Sequence, residues 1–399
     1  MTKGPRLSMW TYPWDVQDLS ADRVTGELRD LGLDTISLAS SYHAGRFLQA
    51  RSPRRRTFYP EDGTIYFEPT PTRWSECTIR PKVASLVAEG GDVLGDLVRR
   101  RDAGGLGVSC WTVCLHNSRL GQLHPEAVTR NCFGEPSVFN LCPSHPEARA
   151  YVATLVEDLS ASYRPDAIEL ESPNFMGWAH GWHHEKDGVG LLPEDDLLLS
   201  LCFCPACLAR AAAAGVDGAR AQSTTRRLVA EALERPVPEP HFSDLAARGI
   251  DAFAVYPELQ DYLGWRFEPV TSLVGEIRDR ADPATKIYLV DLADGWLGGS
   301  DLKAAAGACD GAVLCAYDMK PEAVAELMRK GRAAVGPDRY LGTGFRLFHP
   351  EMRTAADISE RTAAALDGGC DGINYYNYGL VPRARLDWVR AALAERTLA

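Results

Sequence analysis

The sequence predicts an α/β chain folded as one (β/α)8 barrel spanning residues 1–399, and three observations carry that expectation. Eight strand-like apolar runs alternate with amphipathic helical stretches almost from end to end. Such alternation specifies a parallel sheet with helical crossovers, and a count of eight favours closure into a barrel over an open sheet. No glycine-rich phosphate loop follows the first strand, where a nucleotide-binding sheet would carry one. The 399 residues exceed the roughly 250 of a minimal barrel, so insertions are expected.

The expected strands are Leu7–Trp14, Thr35–Tyr42, Gly107–His116, Ala167–Glu171, Lys286–Asp291, Gly311–Asp318, Tyr340–Phe345 and Gly372–Tyr376. Helices are expected near Ser20–Leu31, Asp92–Arg101, Pro146–Ser162, Pro257–Arg280, Pro321–Gly331, Ala355–Leu366 and Arg383–Ala394. Glycine or Asp-Pro punctuates the returns to strand at Asp30–Gly32, Asp282-Pro283 and Gly368–Gly372. Two insertions interrupt the rhythm. Residues 44–90 follow strand two, with a basic stretch at Arg51–Arg56 and a hairpin signal at Glu61-Asp62-Gly63. Residues 172–256 follow strand four. Both fall on the strand-to-helix side, where barrel enzymes build their sites.

Composition narrows the function classes. Hydrophobic residues make up 45% and charged residues 24%, the mix of a globular protein that buries a sizeable core. A net charge of −11 argues against a nucleic-acid or anionic-membrane partner. No run approaches the ~18 apolar residues of a membrane helix, and Met1–Arg6 leads into a strand without a leader pattern. A cytoplasmic location is the expectation, and a homo-oligomer is compatible with it. Eleven cysteines in such a chain do not suggest a disulfide framework. Cys110, Cys114, Cys309, Cys315 and Cys370 sit in apolar runs and read as small core residues.

The run Cys202-Phe-Cys204-Pro-Ala-Cys207 differs, because it gathers three thiols within six residues. Tetrahedral zinc is the usual reason for such a cluster, and Cys142 is the best candidate for a fourth ligand. A closed set of four sulfurs leaves no open position, so the expected zinc is structural; no organic cofactor is expected. The order Cys142-Pro-x-x-Pro146, helix, strand ending in Glu171, then Cys-x-Cys-Pro-x-Cys resembles glycoside hydrolase family 42, the β-galactosidases. The resemblance covers residues 140–210. It implies zinc at Cys142, Cys202, Cys204 and Cys207 and an acid/base role for Glu171. The run Asp371–Gly379 is also similar to the last strand of many hydrolase-like barrels.

Glycosidic bonds are usually cleaved by two carboxyl groups. Strand alternation puts Glu169 and Glu171 on one face, so both point inward if either does. Glu169 is expected to be held by an arginine or lysine inside the barrel, and Glu171 to serve as general acid/base at the mouth. The chain departs from the family in two places. Leu170 precedes Glu171 where retaining enzymes of that clan carry asparagine, and Gly342–His349 offers no carboxylate for a strand-seven nucleophile. The second acid is therefore sought at Asp291 or Asp318, with Asp294 a further candidate; a helix N-cap is the competing role for Asp291 and Asp318.

Aromatic and hydrogen-bonding residues crowd the expected strand ends. Trp10, Tyr12, Trp14, Tyr42, Trp111, Trp296, Tyr317, Tyr375 and Tyr376 offer stacking faces, while His43, His116, Asn117, Arg346 and Asn377 offer polar contacts to hydroxyls. Trp10, Tyr42, His43, Trp111, His116, Asn117, Arg346 and Tyr376 are the expected substrate-binding set. A small-molecule carbohydrate is the expected partner. Two other readings stay open on the same fold. One is a metal-dependent isomerase, aldolase or lyase using the loop Trp178-Ala-His180-Gly-Trp182-His183-His184-Glu185. The other is a sugar-binding barrel without catalysis.

Overall fold

The structure, a computed structural model, describes residues 4–180 and 184–397. Its centre is a closed barrel of eight parallel strands. They are β1 (Arg6–Thr11), β2 (Thr35–Tyr42), β3 (Gly107–Val113), β4 (Ala167–Glu171), β5 (Lys286–Asp291), β6 (Gly311–Cys315), β7 (Tyr340–Arg346) and β8 (Gly372–Tyr376). Each strand pairs with the next, and β1 pairs with both β2 and β8, which leaves no edge among the eight. The strands are buried on both faces because helices cover the outer one and side chains fill the inner one, where apolar residues alternate with a few polar ones.

Strand ends depart from expectation at the first, third and sixth strands, which finish earlier. Pro13 explains the first: it opens a helix at Pro13–Leu19 directly after β1, so Trp14 leaves the strand. Trp14 is fully buried and stacks on Tyr12 at 4.4 Å between ring centroids, behind the barrel mouth. Ser20 caps the next helix, Ala21–Asp30, by accepting from the Arg23 amide.

Between β2 and β3 the chain forms a short hairpin, Phe47–Leu48 with Thr57–Phe58, and a strand at Thr64–Ile65 antiparallel to β2. Between β4 and β5 it builds a layer of helices, chiefly Pro193–Ser200, Pro205–Ala213, Gly218–Leu233, Pro257–Trp265 and Phe267–Arg280. That layer has its own apolar cluster, including Leu198, Phe203, Leu228, Phe253, Leu259 and Tyr262. Among the described residues, no single helix is long and apolar enough to cross a membrane; the bent pair Pro193–Ser200 and Pro205–Ala213 reaches that length and apolarity only jointly.

Candidate active site at the barrel mouth

Register and alternation aim a defined set of side chains into the barrel. Trp111 is level with Glu169 on β4, Val113 with Glu171, and Trp10 on β1 with Tyr376 on β8. At the C-terminal ends of the strands these residues open into a cavity of about 630 Å³. Trp10, Tyr42, Trp111, Glu171, Asp291, Tyr317, Arg346 and Tyr376 all line it. The aromatic rings interlock: Trp10 lies 6.0 Å from Trp111 and from Tyr376, and Trp111 lies 4.9 Å from Tyr42. Behind them the Tyr12 hydroxyl bonds those of Tyr42 at 3.0 Å and Tyr376 at 2.7 Å.

Glu169 and Glu171 both point inward, into different surroundings. Glu169 is completely buried. It accepts from Arg6 Nη2 at 3.0 Å, Trp10 Nε1 at 2.8 Å, Ser37 Oγ at 2.8 Å, Ser109 Oγ at 2.9 Å and Asn374 Nδ2 at 3.0 Å. The arginine expected inside the barrel is Arg6. Glu171 sits one layer higher and accepts from the Trp111 indole. Burial raises its carboxyl above the ordinary range, while His43 and the Trp111 donor act in the opposite sense.

Asp291 ends β5 on the face opposite Val290, yet both line the cavity, which extends outward past the strand. Its carboxylate accepts from the Leu292 amide at 2.8 Å. Burial raises it to about 6, against the Ser300 hydroxyl and the Leu292 amide, with Asp294 adding to the rise. The backbone of Gly295 approaches it so closely that a Cβ there would lie 2.4 Å from Asp291 Oδ2. Asp318 departs from the expected role. It is exposed, pairs with Arg346 Nη2 at 3.3 Å, and is not among the cavity-lining residues. Nor is it a helix cap, since Lys320 holds that position before Pro321–Val335.

Three polar residues of the expected binding set, His43, His116 and Asn117, are not among the cavity-lining residues. Asn117 caps the helix Ser118–Leu123 by accepting from the Leu120 amide at 2.9 Å, and its Nδ2 donates to the Gly63 carbonyl. His43, His116 and His180 form a row, with ring centroids 4.3 and 4.4 Å apart. His116 is buried and its value falls to about 2 through burial beside the other two imidazoles. His180 alone of the three lines the cavity. Trp182 and His183 lie outside the described residues.

The layer after β4 supplies cavity residues that strand-end reasoning missed: Ser172, Asn174, Phe175, Met176, Asp196 and Leu197. Asp196 accepts from the Ala179 amide, and burial raises its carboxyl. Its sequence setting, Pro193-Glu-Asp-Asp196, looks only like the acidic first turn of a helix.

The same layer brings four cysteines together. Cys142 Sγ lies 3.8, 3.6 and 3.5 Å from the sulfurs of Cys202, Cys204 and Cys207. All four are buried, their sulfurs lie within 4.8 Å of one another, and the set could hold a metal ion. Backbone amides of Arg130, Ser144 and Cys207 donate to the sulfurs of Cys202, Cys142 and Cys204. Among the described residues no other group of three or more histidine, cysteine or acidic ligands converges in this way.

No protein-family model matches the chain, and no curated protein matches it. Solved structures do. An α-L-fucosidase isoenzyme 2 from Paenibacillus thiaminolyticus is similar with a TM-score of 0.54 at 13% identity, over 98% of this chain and 49% of that one. A β-galactosidase from the psychrophilic Marinomonas ef1 gives 0.56 at 12%, over 99% and 60%. The chain thus spans only about half to three-fifths of these two proteins. The catalytic domain of a β-amylase from Paenibacillus polymyxa gives 0.57 at 11%, over 98% and 99%. These neighbours share the fold of this chain, a (β/α)8 barrel.

Proposed function

We propose that this chain hydrolyses glycosidic bonds, with Glu171 as proton donor and Asp291 as the second carboxyl. One observation carries the reading: a half-buried carboxyl of raised proton affinity ends β4 in an aromatic-lined cavity that holds a second raised carboxyl, buried, at the end of β5. A raised value keeps an acid protonated until the leaving oxygen needs its proton. Asp291 would then either attack the anomeric carbon or take a proton from the attacking water, according to the separation of the two carboxyls. Flat rings at Trp10, Trp111 and Tyr376 suit sugar C–H faces, and Arg346 and His180 suit hydroxyls or a substrate charge. The fucosidase, β-galactosidase and β-amylase among the structural neighbours support the same substrate class.

The closer likeness to glycoside hydrolase family 42 rests on Cys142, Glu171 and the Cys202–Cys207 triplet. A regular tetrahedron with Zn–S bonds of about 2.3 Å has sulfur–sulfur edges of about 3.8 Å. The 3.5–3.8 Å separations from Cys142 fit that shape, and the donated amides suit thiolates. In this reading the four cysteines hold a structural zinc and take no part in bond cleavage.

The test uses two aryl glycosides, one with a poor leaving group and one with a dinitrophenolate. Glu171→Gln should abolish turnover of the first and largely spare glycone cleavage on the second, which needs no proton. Equal losses on both substrates would remove Glu171 as the acid. The product anomer, read by NMR, assigns Asp291 as nucleophile or base. The missing carboxylate on β7 favours one other reading, a barrel that binds sugars without turnover; binding by calorimetry with no hydrolysis would mark it.

A further inference from the structure

The helical layer after β4 buries a charge that no carboxylate answers among the described residues. Arg266 joins the helices Pro257–Trp265 and Phe267–Arg280 and is only 1% exposed. Its Nη2 donates to the Leu297 carbonyl at 3.0 Å, and its guanidinium lies 4.9 Å from the centre of the Phe175 ring. Nε and Nη1 have no hydrogen-bond partner among the described residues. The ionisable groups that act on it are Tyr262, Cys207 and Cys202.

An arginine does not shed its proton to escape such a setting. A buried ion without a counter-charge loses its hydration with nothing to replace it. Four neutral thiols would leave that cost standing. Four thiolates around a divalent ion change the sign of the account, because 2 − 4 leaves a centre with two net negative charges. Tyr262 completes the link, donating its hydroxyl to the Cys202 carbonyl at 2.5 Å.

We propose that Arg266 is the counter-ion of a metal–tetrathiolate centre at Cys142, Cys202, Cys204 and Cys207. The inference rests on the zinc reading above. Arg266 acts through the ligands rather than on the metal, and it is a positioning residue. Its Phe175 and Leu297 contacts also line the cavity, so the same side chain joins the metal layer to the cavity wall.

The test begins with zinc content of the purified full chain; no bound zinc would overturn both readings together. With one zinc per chain, release to a chromogenic chelator is then timed. R266M should release zinc roughly 10–100-fold faster, the range seen when outer-shell partners are lost. R266K, which restores the charge, should return release to within about threefold of the parent, a rescue that a packing role would not give. R266Q, which keeps a donor for Leu297, replaces R266M if that variant does not fold. Full zinc occupancy with unchanged release in the neutral variant would overturn the role of Arg266 and leave the zinc reading standing.

Discussion

Glu169 and Glu171 stand two residues apart on one strand and face the same way, and the barrel treats them in opposite fashion. Glu169 meets five donors from β1, β2, β3 and β8, one of them the Arg6 guanidinium. Glu171 meets one indole and otherwise faces cavity and aromatic rings. Two residues of strand, about 6.6 Å, separate a carboxylate that ties neighbouring strands together from one that faces the cavity. Residue type and strand position are shared; the number of donors differs. For Glu171, burial raises the carboxyl and the single indole donor only partly opposes it.

Substitutions sharpen that contrast. The largest expected effect is Glu171→Gln, which should lower kcat on the poor-leaving-group substrate roughly 10²–10⁴-fold while leaving urea unfolding nearly unchanged. Next is Glu169→Ala, which strands Arg6 inside the barrel and should cost about 3–5 kcal/mol of stability. A stable Glu169→Ala protein, or an unstable Glu171→Gln protein, would break the comparison.

Asp291 provides a smaller effect with a definite sign. Its folded value of about 6 lies above the unfolded carboxylate value. Its contribution to stability is therefore full below the unfolded value near 3.9 and is lost as pH rises through about 6. Asp291→Asn should be the more stable protein near neutral pH by up to about 3 kcal/mol, with the gap closing near pH 4. Urea melts across that range would show it; a constant gap would contradict the assignment of burial as the cause. The smallest effect concerns Trp111→Phe. Removing the indole donor should move the alkaline limb of kcat/KM upward by about one pH unit or less.

The barrel was legible because its strands are buried on both faces, and four of them begin and end at the expected residues: Thr35–Tyr42, Ala167–Glu171, Lys286–Asp291 and Gly372–Tyr376. The strand edges that moved are places where a local signal outweighed apolar continuity, as Pro13 does after Thr11. The placement of Glu171 at the cavity was legible because period-2 alternation needs only one reference residue. Asp196, Phe175 and Asn174 were not, because their arrival at the cavity depends on how a long insertion folds back, and no periodicity encodes that. His116 and Asn117, expected at the cavity, are not among its lining residues, for the reverse reason. A polar residue just past a strand suits both a ligand contact and a helix cap, and in Asn117 the cap prevailed.

The cysteine cluster also bears on the order in which the chain can assemble. Cys142 precedes β4 and Cys202 lies 60 residues later, so the four sulfurs meet only after the intervening chain has been looped out. The strand carrying Glu169 and Glu171 is inside that loop. An ion that bridged its two ends would act as a cross-link on the denatured chain, worth about 4 kcal/mol by the entropy of closing a loop of this length. A nascent chain would gain that clasp only once Cys207 has emerged, well before β5 to β8 exist to close the barrel. The first half of the barrel would then wait for the second with its acidic strand already tethered.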